Sequence, residues 1–221
     1  MTLAPSICGV VLSAGFSTRM GRDKALLPWP PVVEGAVAVN TFLGATIDLL
    51  QAFCDLVIVV AGENAPHIAP VTYEHAGFLS VNPQPERGQF SSLRIGLQAV
   101  LDQGRDAACI ALVDRPPVLP GTVRRLRDAF LEVSPDIWSV VPEVQRDGKP
   151  VHGHPILIRR EMMEAFLRAP ATATAREIEH QHQQHIRYIA VDDPRIAVNI
   201  DTPEDYQRLA AGEMVYAEKQ D

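Results

Sequence analysis

Apolar residues along this chain alternate between two kinds of pattern. The continuous runs Ile7–Leu12, Leu56–Ala61 and Ala107–Val113 suit strands covered on both faces. Ile137–Val141, Pro155–Ile158 and Ile186–Val191 also read as strands, and Phe78–Val81 is a weaker candidate. Between the runs, apolar positions follow helical spacing: Phe42, Thr46, Leu49, Leu50 and Phe53; Leu93, Leu97, Val100 and Leu101; Val123, Leu126 and Phe130; Met162, Met163, Phe166 and Leu167. Thr202-Pro203-Glu204-Asp205 opens a last helix, with Thr as cap, Pro at the first helical position and Asp in place to complete a capping box. Strands separated by helical crossovers predict an α/β fold with a mostly parallel central sheet and helices on both faces. Ligands of such sheets bind beyond the carboxyl ends of the strands. With no internal repeat and no composition break, one domain is expected over residues 1–221, its core at about 6–212 and a short C-terminal tail after it.

Composition narrows the chemistry. The 221 residues are 47% hydrophobic with a formal net charge of −7, as expected of a soluble globular protein with a sizeable core. That acidity argues against a broad nucleic-acid surface, which needs clustered positive charge, but leaves room for a small anion held by local charge. No uncharged apolar run approaches the ~20 residues that span a bilayer, and Met1–Ser13 lacks a basic flank and a small-residue cleavage site. Three scattered cysteines, 8, 54 and 109, give neither a disulfide framework nor a zinc motif, so a cytoplasmic location is expected with the thiols buried.

Of the 20 lysines and arginines only three are lysine: Lys24, Lys149 and Lys219. Lys149 falls in a polar loop and Lys219 in the tail. Lys24 closes the loop Leu12-Ser-Ala-Gly-Phe-Ser-Thr-Arg-Met-Gly-Arg-Asp-Lys24, directly after the first strand. The loop is not a dinucleotide fingerprint, having only Gly15 and Gly21, and not a P-loop, since Lys24 follows Gly21 by three residues. It still combines glycine, hydroxyls and a net +2 over residues 19–24, the ingredients of an anion site; a solvated basic surface loop is the plainer alternative. Asp114 and Asp201 each stand at a strand end, where together they could hold one Mg²⁺. Asp114 reads equally as a turn former before Pro116, and Asp201 as an exposed helix-flanking residue. Asn199 is a neighbouring candidate ligand or a polar strand end.

The loop resembles the Leu-x-x-Gly-x-x-x-Arg-Met-Gly-x-x-Lys signature of the MobA-like nucleotidyltransferases, which include molybdenum cofactor cytidylyltransferases and guanylyltransferases. Further matches run in order along the chain: Asn82-Pro83 with Gly88-Gln-Phe-Ser-Ser-Leu-Arg94, Leu112-Val-Asp-Arg-Pro116, Gly153-His-Pro155, Val191-Asp-Asp-Pro194 and Asn199-Ile-Asp-Thr-Pro-Glu-Asp205. The resemblance implies a three-layer Rossmann-like fold. It implies nucleotide contacts at Leu12, Ser13, Ala14, Gly15, Ser17, Arg19, Lys24, Asn82, Ser91, Ser92 and Leu93, with Lys24 and Arg19 catalytic. It implies Mg²⁺ on Asp114 and Asp201, and an acceptor side including His154 and Arg176. The expected reaction moves a nucleoside monophosphate from an NTP, CTP favoured, to a phosphorylated acceptor such as molybdopterin, with a molybdoenzyme as client. A guanylyltransferase or an enzyme for another small phosphorylated acceptor is the alternative, and a non-catalytic nucleotide- or cofactor-binding protein is the contrasting class. Four features depart from the family pattern: Ser13, Val113, Arg115 and the stretch 28–39. His180, His182 and His185 read as a solvated helix end, and Asp192-Asp193 as a solvated turn.

Overall fold

The computed structural model describes residues 5–31 and 39–213. Lys219 and residues 32–38 of the atypical stretch lie outside the described residues. The elements, in chain order, are β1 (Ile7–Ser13), β2 (Pro28–Trp29), β3 (Asn40–Thr41), α1 (Phe42–Gln51), β4 (Leu56–Ala61), α2 (Ala65–Glu74), β5 (Phe78–Val81), α3 (Gln89–Asp102), β6 (Ala107–Leu112), α4 (Pro120–Glu132), β7 (Ser139–Arg146), β8 (Lys149–His152), β9 (Ile156–Arg159), α5 (Arg160–Arg168), α6 (Ala175–Gln181), β10 (Ile186–Ala190) and α7 (Pro203–Ala210).

The eight-stranded sheet has the order β10-β7-β9-β6-β1-β4-β5, with β8 paired to β7. Strands β5, β4, β1 and β6 are mutually parallel, whereas β9 runs antiparallel to β6 and β7. Alternate residues of each central strand feed opposite faces. Val11, Val59 and Cys109 meet α1, α2 and α4 through Leu43, Ile68 and Phe130. Val10, Val60 and Ile110 meet α3, α5 and α6 through Leu97, Met163 and Ile178. A fully buried phenylalanine or leucine of this kind contributes roughly 1.5–3 kcal/mol. The continuous apolar runs of β1, β4 and β6 are the sequence trace of this double burial.

Two features of this core set up the crevice. Strand β1 lies between β4 and β6, and the chain leaves β1 toward β4 before returning to β6. Their following loops therefore diverge, and a ligand crevice opens beyond the carboxyl ends of β1 and β6. On one wall of it, Gly96 lets α3 sit close to the sheet, since a Cβ there would lie 2.7 Å from Val10 Cγ1.

Helix α2, strand β8 and the short β2 and β3 were absent from the sequence reading, and α6 was read only as a helix end. Helix α2 contains Pro66 near its start and Pro70 inside, and buries only Ile68 and Thr72, so no apolar stripe announces it. The β7–β8 hairpin turns through Asp147 and Gly148, both at positive φ, and its outer residues are exposed. Helix α6 has a capping box, Thr174 with Glu177, but buries Ile178 alone. No helix among the described residues is long and apolar enough to cross a membrane. The three cysteines are free, and burial pushes the Cys8 thiol up to about 12, which keeps it an inert apolar group.

Candidate active site

The loop after β1 is shaped by its own backbone. Ser17 and Gly21 both have positive φ, and the Ser17 carbonyl accepts from the backbone N–H groups of Met20 and Gly21 at 3.0 and 3.1 Å. The Ser17 hydroxyl accepts from the Lys24 backbone at 3.2 Å. Met20 is a buried anchor beside Leu27, Phe42 and Tyr206. Asp23 caps the following turn through Ala25 at 2.9 Å, and its other oxygen accepts from Asn64 Nδ2 at 2.7 Å. Asn64 Nδ2 also donates to the Ser13 carbonyl at 2.9 Å, tying both ends of the loop together. Asn64 was missed by sequence reasoning because it comes from the unforeseen α2 segment.

The loop borders a crevice of about 340 Å³ whose lining includes Leu12, Ala14, Gly15, Ser17, Lys24, Ser92 and Asp114. Expected residues from three chain regions thus converge. Phe16, Pro85, Glu86, Gly88 and Gln89 also line it and were not named as site residues. The signal at Gly88 is its φ of 89°, which a side chain would strain, just where α3 begins.

Lys24 Nζ donates to Asp201 Oδ1 at 2.6 Å, with only 12% of its side chain exposed. Asp201 Oδ2 receives Arg19 at 3.0 Å and Asn199 Nδ2 at 2.6 Å. Burial pushes the Asp201 carboxyl up, but the Lys24 hydrogen bond and charge, with Arg19, outweigh it and hold the group below the usual carboxylate range. Asp114 is the opposite case. Burial raises its pKa, against the pull of Lys24 and Arg115, and the Asp201 charge raises it further. Its Oδ1 is buried, and no described residue bonds to it. The two aspartates belong to segments joined by the Ile200 N–H, which donates to the Asp114 carbonyl at 2.8 Å.

An orphaned, buried carboxylate oxygen beside a second carboxylate fits a small hard cation. Among the described residues no group of three or more His, Cys, Asp or Glu side chains could hold a metal. Two carboxylates without nitrogen or sulfur ligands suit Mg²⁺, which keeps several waters and shares substrate phosphates, better than zinc.

Other expected residues fall elsewhere. Asn82 is buried, its amide donating to Ser91 at 2.9 Å and Ser92 at 3.0 Å, so it braces the start of α3 rather than lining the crevice. The Leu93 side chain packs in the core with Val10 and Leu97, leaving only its backbone for any nucleotide contact. The two acceptor-side residues lie outside this crevice. His154 is buried beneath Arg115, and burial followed by the Arg115 charge lowers its pKa to about 3; a neutral imidazole there offers no charge to an anion. Arg176 is exposed on α6, which supplies none of the crevice lining. Arg115 turns inward and donates to the Ile196 carbonyl at 2.7 Å. His185 stacks on Trp138 with ring centroids 3.9 Å apart and bonds the Asp136 carbonyl, a packing role.

The Ser13 side chain, 1% exposed, has no hydrogen-bond partner among the described residues. A buried unsatisfied hydroxyl costs roughly 1–3 kcal/mol. Ser13→Ala should therefore raise the melting temperature, by about 2–4 °C per kcal/mol in a chain of this size. A lower melting temperature in differential scanning calorimetry would show that the hydroxyl is bonded.

Comparison with known proteins identifies the family and the fold. Residues 9–186 match the model of the MobA-like NTP transferase domain. The chain is 23% identical to the molybdenum cofactor cytidylyltransferase of Escherichia coli, over 89% of this chain and 92% of that protein. It is 28% identical to a probable molybdenum cofactor guanylyltransferase of Mycobacterium avium, over 92% and 95%. The crystal structure of Rv0371c from Mycobacterium tuberculosis superposes with a TM-score of 0.74 at 29% identity, covering 93% of this chain and 98% of that one. A manganese complex of the same mycobacterial protein matches with a TM-score of 0.68.

Proposed function

Because the chain belongs to the MobA-like NTP transferase domain family and is a nucleotidyltransferase, we propose that it transfers CMP from CTP to the phosphate of molybdopterin, releasing pyrophosphate. The observation that carries this reading is that Lys24 and Asp114 line one crevice, with Asp201 bonded to Lys24 at 2.6 Å. A passive binding protein has no need of a largely buried lysine paired to one carboxylate, Asp201, at a crevice that a second carboxylate, Asp114, also lines.

The roles follow from the chemistry of each group. The Gly15–Ser17 backbone is the part of the loop that would face the triphosphate, with open space beside Gly15 to receive it. An arriving triphosphate competes with Asp201 for Lys24 and Arg19. Lys24, a compact point charge, then faces the α-phosphate, where negative charge develops. Asp114 and Asp201 are the residues that would hold Mg²⁺, which when bound neutralises charge on the leaving pyrophosphate. An acceptor phosphate oxygen forms a bond to the α-phosphorus as the bond to the β-bridging oxygen breaks. A phosphate monoester, with a second pKa of about 6, is already largely ionised at pH 7, so no side-chain base is required. Catalysis rests on positioning and charge neutralisation.

Support for CTP comes from the Gly88–Arg94 segment, which resembles the cytidylyltransferase branch and contributes Gly88, Gln89 and Ser92 to the crevice. GTP is the second reading. It is favoured by relatives named guanylyltransferases at 28–29% identity, against 23% for the cytidylyltransferase. Pyrophosphate release from each of the four NTPs, with and without purified molybdopterin, separates them. We expect release to need molybdopterin and to be fastest with CTP. Faster release with GTP would overturn the base assignment, and no release with any donor would overturn the enzyme.

A further inference from the structure

Asp193 is not among the residues that line the crevice and is 2% exposed, not solvated. Its Oδ2 accepts from the Leu119 backbone N–H at 2.7 Å and from the Thr122 hydroxyl at 2.8 Å, and its Oδ1 accepts from the Arg195 backbone N–H at 3.1 Å. Leu119 and Thr122 begin α4, at the far end of the loop that starts with Asp114. The same two segments meet three more times. Arg195 donates to the Pro117 carbonyl at 3.4 Å, Arg115 to the Ile196 carbonyl at 2.7 Å, and Ile200 N–H to the Asp114 carbonyl at 2.8 Å. Residues 193–200 therefore run alongside residues 114–122, one strip starting with Asp114 and the other ending next to Asp201. A third segment backs them: His154 N–H donates to the Ile196 carbonyl at 3.2 Å, and a Cβ on Gly153 would lie 1.9 Å from that oxygen.

We propose that Asp193 is a positioning residue for the Asp114–Asp201 pair, clasping the α4 start so that the segment delivering Asp201 keeps its register with Asp114. Asp193 touches neither aspartate. It acts through the short turn Pro194–Ala197 and the fully buried Val198 and Ile200, which leave no slack between the clasp and Asp201. Bonds to a charged acceptor are stronger than neutral ones, and Asp193 satisfies three donors at once. The proposal rests on the reading of Asp114 and Asp201 as the cation-holding pair.

The test is Mn²⁺ binding to the full chain without nucleotide, followed by electron paramagnetic resonance at a temperature where every variant is folded. Asp193→Ala should weaken Mn²⁺ binding about tenfold, the lower end of the loss seen when supporting residues of a metal site are removed. Thr122→Val, which removes one donor, should weaken it by a smaller factor, and Thr122→Ser, which keeps the hydroxyl, should restore wild-type affinity. Affinity within twofold of wild type in Asp193→Ala overturns the proposal, whatever happens to its melting temperature. If Asp193→Ala does not fold, equal affinities in Thr122→Val and Thr122→Ser overturn it instead. No Mn²⁺ binding by wild type would overturn the carboxylate-pair reading itself, a failure distinct from an unaffected Asp193 variant.

Discussion

Lys24→Ala should lower kcat by roughly 10²–10³-fold, the usual cost of removing one preorganised group aimed at charge that develops in the transition state. The fold should survive. Asp201 keeps its contacts to Arg19 and Asn199, and its side chain remains 23% exposed to water. The acid margin should shrink, however. A carboxylate with a depressed folded pKa contributes stability above its ordinary value near 3.9, and that contribution is lost as pH falls through the folded value. Removing Lys24 takes away the largest lowering influence on Asp201, so acid unfolding should begin at higher pH. Lys24→Arg should rescue poorly, because a planar fork does not replace a compact ammonium in a side-chain site only 12% exposed. Steady-state kinetics and circular dichroism against pH measure both effects. Unchanged turnover in Lys24→Ala would remove its assigned role.

Asp114→Asn should separate function from stability. Transfer should fall by on the order of 10²-fold or more, with a weaker apparent metal affinity, because one of two cation-holding carboxylates is gone. In chelator-treated protein the same change should raise the melting temperature at neutral pH. Burial raises the Asp114 pKa, so the fold favours the protonated form over the ionised one. A raised carboxylate pKa contributes stability below the ordinary value, and that contribution is lost as pH rises through the folded value. At pH 7 the carboxyl is therefore a net cost, which asparagine removes while keeping the shape. The stabilisation should fade as pH falls below about 3.9, where both states are protonated. Melting curves of the two metal-free proteins across pH check this. A destabilised Asp114→Asn at pH 7 would mean that the carboxylate is bonded rather than stranded. Stability lost to a functional charge is a common feature of active sites.

Much of this was legible in the sequence because double burial leaves continuous apolar runs. Strands β1, β4 and β6 stand within a residue of the expected limits for that reason, and the Thr202–Asp205 capping box formed as its residues suggested. The convergence of Gly15, Ser17 and Lys24 followed from a loop whose spacing is short-range. What stayed hidden depends on distant partners. Asn64 matters because it spans from α2 to Ser13 and Asp23, and nothing in its neighbourhood announces that reach. Asp193 looked solvated beside Asp192 and Pro194; its burial is decided by the α4 start, 71 residues earlier for Thr122. His154 looked available for ligand, yet its Nδ1 is buried and its backbone bonds the Ile196 turn, which Arg115 also bonds. Local chemistry reads from local sequence, and long-range hydrogen bonding does not.

On the proposed function, this crevice moves the α-phosphate of a nucleotide to an acceptor. The most direct measurement incubates wild-type protein and molybdopterin with CTP labelled with ³²P at either the α or the γ position, with Mg²⁺ present or chelated. We expect α-label on the acceptor in step with unlabelled pyrophosphate, γ-label only in pyrophosphate, and neither after chelation. Label reaching the acceptor from the γ position, or from neither position with any NTP, would contradict the proposed function.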